Sequence, residues 1–152
     1  MTNEKGTYIL FFSNNSEIEV VVGSLNKITF QKGIYLYIGS AFGPGGLTKR
    51  IQRHNNPSKM IFWHIDYLST NRNFKLISVI EIFSLIKNEC SIVNFLLNDI
   101  FLEDKISSIS NFGSSDCHYK FHLLFLKNKS VQEALKQIKT KMADYKIKIT
   151  QI

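Results

Sequence analysis

The pattern of apolar residues predicts an α/β or α+β domain with a small, mostly antiparallel central sheet flanked by helices. Three observations predict it. The N-terminal third is rich in β-branched and aromatic residues, and Ile18, Val20 and Val22 alternate with Glu17, Glu19 and Val21 in the period of a half-buried strand. Further along, Ile92, Val93, Leu96, Leu97 and Ile100 recur at the spacing of one buried helix face. A chain of 152 residues with a hydrophobic fraction of 44% is long enough to bury a core as a single domain spanning 1–152.

Taken in order, Thr7 to Phe12 reads as a strand, and the Ile18–Val22 alternation as a second. Gly23-Ser24-Leu25-Asn26 is turn chemistry before a short Ile28-Thr29-Phe30 strand. Gly33 to Ser40, dense in Ile and Tyr, is the next strand. Gly43-Pro44-Gly45-Gly46 must be a loop, and a helix follows from about Leu47 to His54, stopped by Asn55-Asn56-Pro57. Ile61 to Leu68 fits either a strand or a helix. Phe74 to Phe83 is a strand, and Glu89 to Phe101 a helix. Asn111 to Asp116 reads as a loop and Phe121 to Leu126 as a strand buried on both faces. Ser130-Val131-Gln132-Glu133 is a capping box that opens a helix with Val131, Leu135, Ile138 and Met142 inward. Tyr145 to Ile152 alternates Lys and Ile, as an edge strand protected by charge would.

The net charge of +7 favours a polyanionic partner, because a basic surface concentrates phosphates. No apolar run reaches the roughly 20 residues needed to span a bilayer, and the N-terminus lacks signal-peptide anatomy, so no membrane partner and a cytoplasmic location are expected. Cys90 and Cys117 are then expected as free thiols. A zinc site or thiol chemistry at Cys117 with His118 or His122 is an alternative, but the spacing fits no standard zinc motif.

The chemically informative stretch is Gly33-Ile34-Tyr35-Leu36-Tyr37-Ile38-Gly39, then Gly45-Gly46-Leu47-Thr48-Lys49-Arg50 and, one helical turn later, His54. Tyr37-Ile38-Gly39, Arg50 and His54 in this order resemble the GIY-YIG nuclease superfamily. The literal Gly33-Ile34-Tyr35 shares a strand with Tyr37, whereas the family's two motifs sit on neighbouring strands. Gly6-Thr7-Tyr8 is the better first motif, with Tyr35 its competitor. Two departures follow: Thr7 replaces Ile, and an extra hairpin at about Glu17 to Phe30 separates the motifs. Trp63-His64-Ile65-Asp66-Tyr67-Leu68, Glu89-Cys90 and Phe112-Gly113-Ser114-Ser115-Asp116-Cys117 resemble a prokaryotic subfamily, some members of which are joined to glycosylases of the endonuclease III type.

The resemblance implies a metal-dependent endonuclease acting on DNA, in repair, with a catalytically weakened nucleic-acid-binding or accessory module as the alternative. It implies catalytic roles for Tyr8, Tyr37, Arg50, His54 and Glu89. Glu89 would hold Mg2+ or Mn2+, since a carboxylate suits a hard cation that keeps its waters. Arg50 would grip the phosphate with its planar fork of donors. Tyr8 or Tyr37 would position or deprotonate water, a task that requires a lowered phenol pKa, and His54 would relay a proton. Gly39, Ser40, Gly46, Lys49, Arg53, His64 and Ser115 complete the implied substrate-binding set. Glu81 is the alternative carboxylate. No late active-site Asn is evident, and Ser114, Ser115 or Asp116 stands in its place. His64 and Asp66 face together in a strand and diverge in a helix.

Overall fold

The computed structural model describes residues 4–101, 106–109 and 122–152. Among these, strands β1 (Gly6–Asn14), β2 (Ile18–Val21), β3 (Lys27–Phe30), β4 (Gly33–Ala41), β5 (Phe74–Phe83), β6 (Ile106–Ser108), β7 (Leu123–Leu126) and β8 (Ile147–Gln151) combine with helices α1 (Gly46–His54), α2 (His64–Ser69), α3 (Glu89–Phe95) and α4 (Val131–Lys141) in an α+β arrangement. Six strands form one sheet in the order β6-β7-β4-β1-β5-β8, and β2 and β3 form a separate hairpin. All pairings are antiparallel.

β1 lies inside the sheet with β4 on one side and β5 on the other, which explains why it is apolar on both faces rather than alternating with charge. Its side chains sort by parity. Tyr8, Leu10 and Phe12 join a core with Tyr35, Tyr37, Leu47, Ile65 and Leu68, so α1, α2 and the hairpin cover that face. Ile9 and Phe11 join a second core with Ile92, Val93, Leu96, Ile138 and Met142, so α3 and α4 cover the other. At roughly 1.5–3 kcal/mol per fully buried large apolar side chain, these two layers dominate the stability. Ser130 caps α4, its Oγ accepting from the Glu133 amide at 3.2 Å. Among the described residues β8 pairs with β5 alone, and Lys148 stands on this edge strand.

The ambiguous Ile61–Leu68 tract resolves into an irregular loop followed by α2. The buried Asp66 carboxylate accepts from the amides of Phe62 and Trp63, at 2.8 and 2.9 Å, and so fixes where the helix begins. Past α3 the helix continues as a π turn, Leu96–Ile100. Cys90 is disulfide-bonded, which corrects the expectation of a free thiol there. Such a contact is set by tertiary approach, which cysteine count and compartment do not encode. Cys117, the 111–116 loop, Phe121, His118 and Ser115 lie outside the described residues. No helix among the described residues is long and apolar enough to cross a membrane.

Candidate active site

The β1–β4 register sets Tyr8 opposite Gly39. A Cβ at Gly39 would fall on the Tyr8 phenol, so only glycine lets that ring lie across β4. The phenol then reaches α1, where its hydroxyl sits 2.8 Å from His54 Nε2 in a buried contact. Tyr37, also on this face, brings its ring centroid to 6.5 Å from that of Tyr8 and 6.1 Å from that of His54. Tyr35 does not belong to this cluster. Its ring packs among Phe30, Phe74 and Phe125 and its hydroxyl donates to the Gln31 carbonyl, so it is a core residue.

Arg50 precedes His54 by one helical turn and shares its side of α1. Its guanidinium lies 4.7 Å from the Trp63 ring centroid, and its charge acts on the Tyr8 phenol. Glu89 opens α3, on the far layer, yet its charge acts on Tyr8, Tyr37 and His122. The reason is local. Thr7 Oγ1 donates to Asn88 Oδ1 at 2.6 Å, which ties the residue before Glu89 to the residue before Tyr8. Sequence reading treated Thr7 as a departure from a motif and missed that its hydroxyl has this partner. His122, offered by the sequence only as a partner for Cys117, is buried, and neither ring nitrogen has a hydrogen-bond partner among the described residues.

Burial raises the Tyr8 pKa well above the ordinary phenol value. Tyr37 and Glu89 push the same way, and the Arg50 guanidinium opposes them. Tyr37 is likewise raised by burial, then by Glu89 and Asp66. His54 is lowered to about 3, by burial first and then by Lys59, Arg53 and Arg50, with Asp66 opposing. At neutral pH the site therefore holds two protonated phenols and a neutral imidazole. The lowering that a water-deprotonating phenol would require does not occur, because desolvation of the anion outweighs one nearby guanidinium.

Several implied substrate-binding residues are placed differently. Arg53 donates Nη1 and Nη2 to Asp66 at 2.9 and 2.8 Å and Nη2 also to the Met60 carbonyl at 3.0 Å, so it clamps the loop before α2. The Gly46 amide donates to the Gly43 carbonyl and the Leu47 amide to the Glu4 carbonyl. Those two amides at the start of α1 are therefore spent within the chain rather than on a phosphate. Lys49 is exposed, Ser40 half-buried and Gly39 buried beneath Tyr8. His64 opens α2 and Asp66 turns inward from it, the divergence a helix imposes. Glu81 pairs in register with Tyr8, but Lys148 and Glu4 are the charges that act on it, so Glu89 is the carboxylate that bears on the phenols. No group of three His, Cys, Asp or Glu residues able to hold a metal occurs among the described residues.

Among curated proteins and among solved structures, none matches the chain. A family model described as a domain of unknown function, DUF123, matches residues 7–144, which covers nearly the whole of β1 through α4, and the chain belongs to that family.

Proposed function

We propose that this chain is a GIY-YIG-type nuclease, a metal-dependent phosphodiester hydrolase acting on DNA. One observation carries the reading: two phenols, a guanidinium, an imidazole and a carboxylate, far apart in sequence, bear on one another around the Tyr8 hydroxyl. Core packing alone gives no reason for a half-buried arginine and a half-buried glutamate to converge on buried phenols, whereas a site that handles charge does.

Arg50 binds the scissile phosphate with its donors and offsets charge developing there. Tyr8 orients the attacking water through its hydroxyl. With the His54 proton on Nδ1, Nε2 accepts the Tyr8 hydroxyl at 2.8 Å and fixes the phenol in its protonated form. His54, held to about 3, stays neutral at working pH and orients the phenol without storing the water's proton. Tyr37 closes the apolar wall behind Tyr8 and excludes bulk water.

The donor set fits a hard divalent cation: Glu89 is half-buried and acts on both phenols, and magnesium commonly takes one or two carboxylates plus waters and substrate phosphate. Bound at Glu89, such an ion would acidify water and neutralise phosphate charge. The test is nicking of supercoiled plasmid, single-stranded DNA and branched DNA with Mg2+ or Mn2+. Cleavage by wild type that is lost in Arg50→Ala and Glu89→Gln is the expected result. Cleavage unchanged by both substitutions would sink the reading.

A second reading is a weakened, DNA-binding accessory module. The raised phenol pKa values and the lack of a three-ligand cluster among the described residues favour it. Salt-sensitive DNA binding without cleavage by wild type would select it.

A further inference from the structure

Between α1 and α2 the chain exposes four successive apolar side chains: Met60 at 73%, Ile61 at 46%, Phe62 at 72% and Trp63 at 39%. Soluble proteins seldom leave such a run in water without a partner for it. The loop is not slack. Its backbone is fastened at three points, the Met60 carbonyl to Arg53 and the Phe62 and Trp63 amides to Asp66, and the Asp66 side chain is itself fully buried. Lys59 adds a bond from its ammonium to the Arg53 carbonyl at 3.2 Å. The chain thus holds the backbone inward and the rings outward.

Cations are interleaved with those rings. The Arg53 guanidinium lies 4.1 Å from the Trp63 centroid and 5.7 Å from that of Phe62, and Arg50 lies 4.7 Å from Trp63. Arg50 is also the guanidinium that acts on the Tyr8 phenol, and the His54 ring is 6.0 Å from Trp63. The loop is therefore a wall of the candidate active site. The carboxylate nearest to it, Asp66, is buried and paired, so nothing in the loop repels an anion.

We infer that the Met60–Trp63 loop is a stacking platform for an unpaired nucleobase next to the cut, so that the substrate is single-stranded or locally splayed nucleic acid. Flat rings with positive charge between them match a strand that alternates flat bases with negative phosphates. A regular duplex offers no base face. The inference rests on the nuclease reading for the chemistry of its neighbour, but base stacking itself needs no cleavage.

Trp63 is the single tryptophan of the chain, so its fluorescence reports on the platform directly. The full-length chain, without divalent cation, is titrated with a short oligothymidylate, an abasic oligomer of equal length and charge, a duplex, and vesicles of equal phosphatidylglycerol and phosphatidylcholine. Oligothymidylate is expected to quench Trp63 and to bind about 10-fold more tightly than the abasic oligomer or the duplex. Phe62→Ala should remove that preference and Phe62→Tyr retain it. Equal binding of thymidylate and abasic oligomers, or a preference unaltered in Phe62→Ala, overturns the platform. A response to vesicles alone, with a blue shift, overturns it in favour of a membrane surface. Stacking without nicking would fail only the nuclease reading, whereas nicking of duplex without base preference would fail only this one.

Discussion

The Tyr8 hydroxyl and His54 Nε2 stand 2.8 Å apart with both residues almost wholly removed from water. This bond joins the central strand to α1 and also fixes the phenol that orients water in the proposed reaction. Replacing Tyr8 by Phe deletes the hydroxyl and leaves the ring nitrogen buried without a partner. We expect a loss of about 1–3 kcal/mol in urea unfolding. Nicking should fall by about 100-fold if the Tyr8 hydroxyl orients the attacking water. A Tyr8→Phe protein that cuts like wild type would remove Tyr8 from the chemistry.

Gly39 offers a sharper steric test. Alanine there places its methyl on the Tyr8 phenol, and the ring must move off β4. Overpacking of this kind costs roughly 1–3 kcal/mol, and activity should fall with Tyr8→Phe. At Gly43, by contrast, a Cβ meets only an Arg50 nitrogen at 3.9 Å, an ordinary contact. Gly43→Ala should therefore change the thermal midpoint little. Comparing the two variants separates displacement of Tyr8 from a general intolerance of the glycine-rich segment.

Arg50 and Arg53 lie on the same helix and should behave in opposite ways. Arg53→Ala leaves the buried Asp66 carboxylate without its two-pronged partner, a change that costs about 3–5 kcal/mol. Arg50→Ala gives up chiefly a contact over Trp63, worth about 1 kcal/mol or less at a partly exposed ring. Urea denaturation should thus rank Arg53→Ala well below Arg50→Ala in stability, while nicking should be abolished by Arg50→Ala in a folded protein.

Acid should weaken the fold in two steps. Burial, then the cations of Lys59, Arg53 and Arg50, hold His54 at about 3 against an ordinary 6.5. The unfolded chain takes up a proton below pH 6.5 that the folded chain refuses, so stability is greatest above that pH and declines as pH falls toward 3. The slope is about 1.4 kcal/mol per pH unit. Asp66 adds the second step. Burial raises its pKa, but hydrogen bonds from Arg53 and the Trp63 and Phe62 amides outweigh that and bring it to about 2 from 3.8. Its contribution is present above pH 3.8 and is lost as pH falls through about 2. Urea midpoints from pH 8 to 3 should slope downward below 6.5, and His54→Gln should flatten most of that slope. The buried His122, also lowered by burial, contributes in the same direction.

Strands and helices with strong periodicity were legible in the sequence. β5 spans Phe74–Phe83 as read, and the core positions of α4 follow its apolar spacing, because burial of one face sets the residue pattern. The two-faced role of β1 was less legible, since a continuous apolar run does not say which side faces which helix. The Arg53–Asp66 pair was not legible, because Asp66 lies in another helix and helical spacing cannot anticipate a salt bridge across a turn. The phenol pKa values could not be read for a related reason: a nearby cation can be guessed from order along the chain, whereas depth of burial cannot. Glu89 could be nominated from the sequence, but its approach to the phenols depends on the Thr7–Asn88 bond, which no local pattern announces.

That bond has a structural corollary. Tyr8, Tyr37 and His54 belong to the layer made by one face of the sheet, while Glu89 is delivered by a helix packed on the reverse side and enters around the strand end. The constellation runs from Tyr8 to Glu89, so no single hairpin or helix pair contains it whole. Grafting it elsewhere would demand a scaffold with both layers and the linchpin at Thr7, and drift in the docking of α3 would silence the acid while leaving the phenols in register.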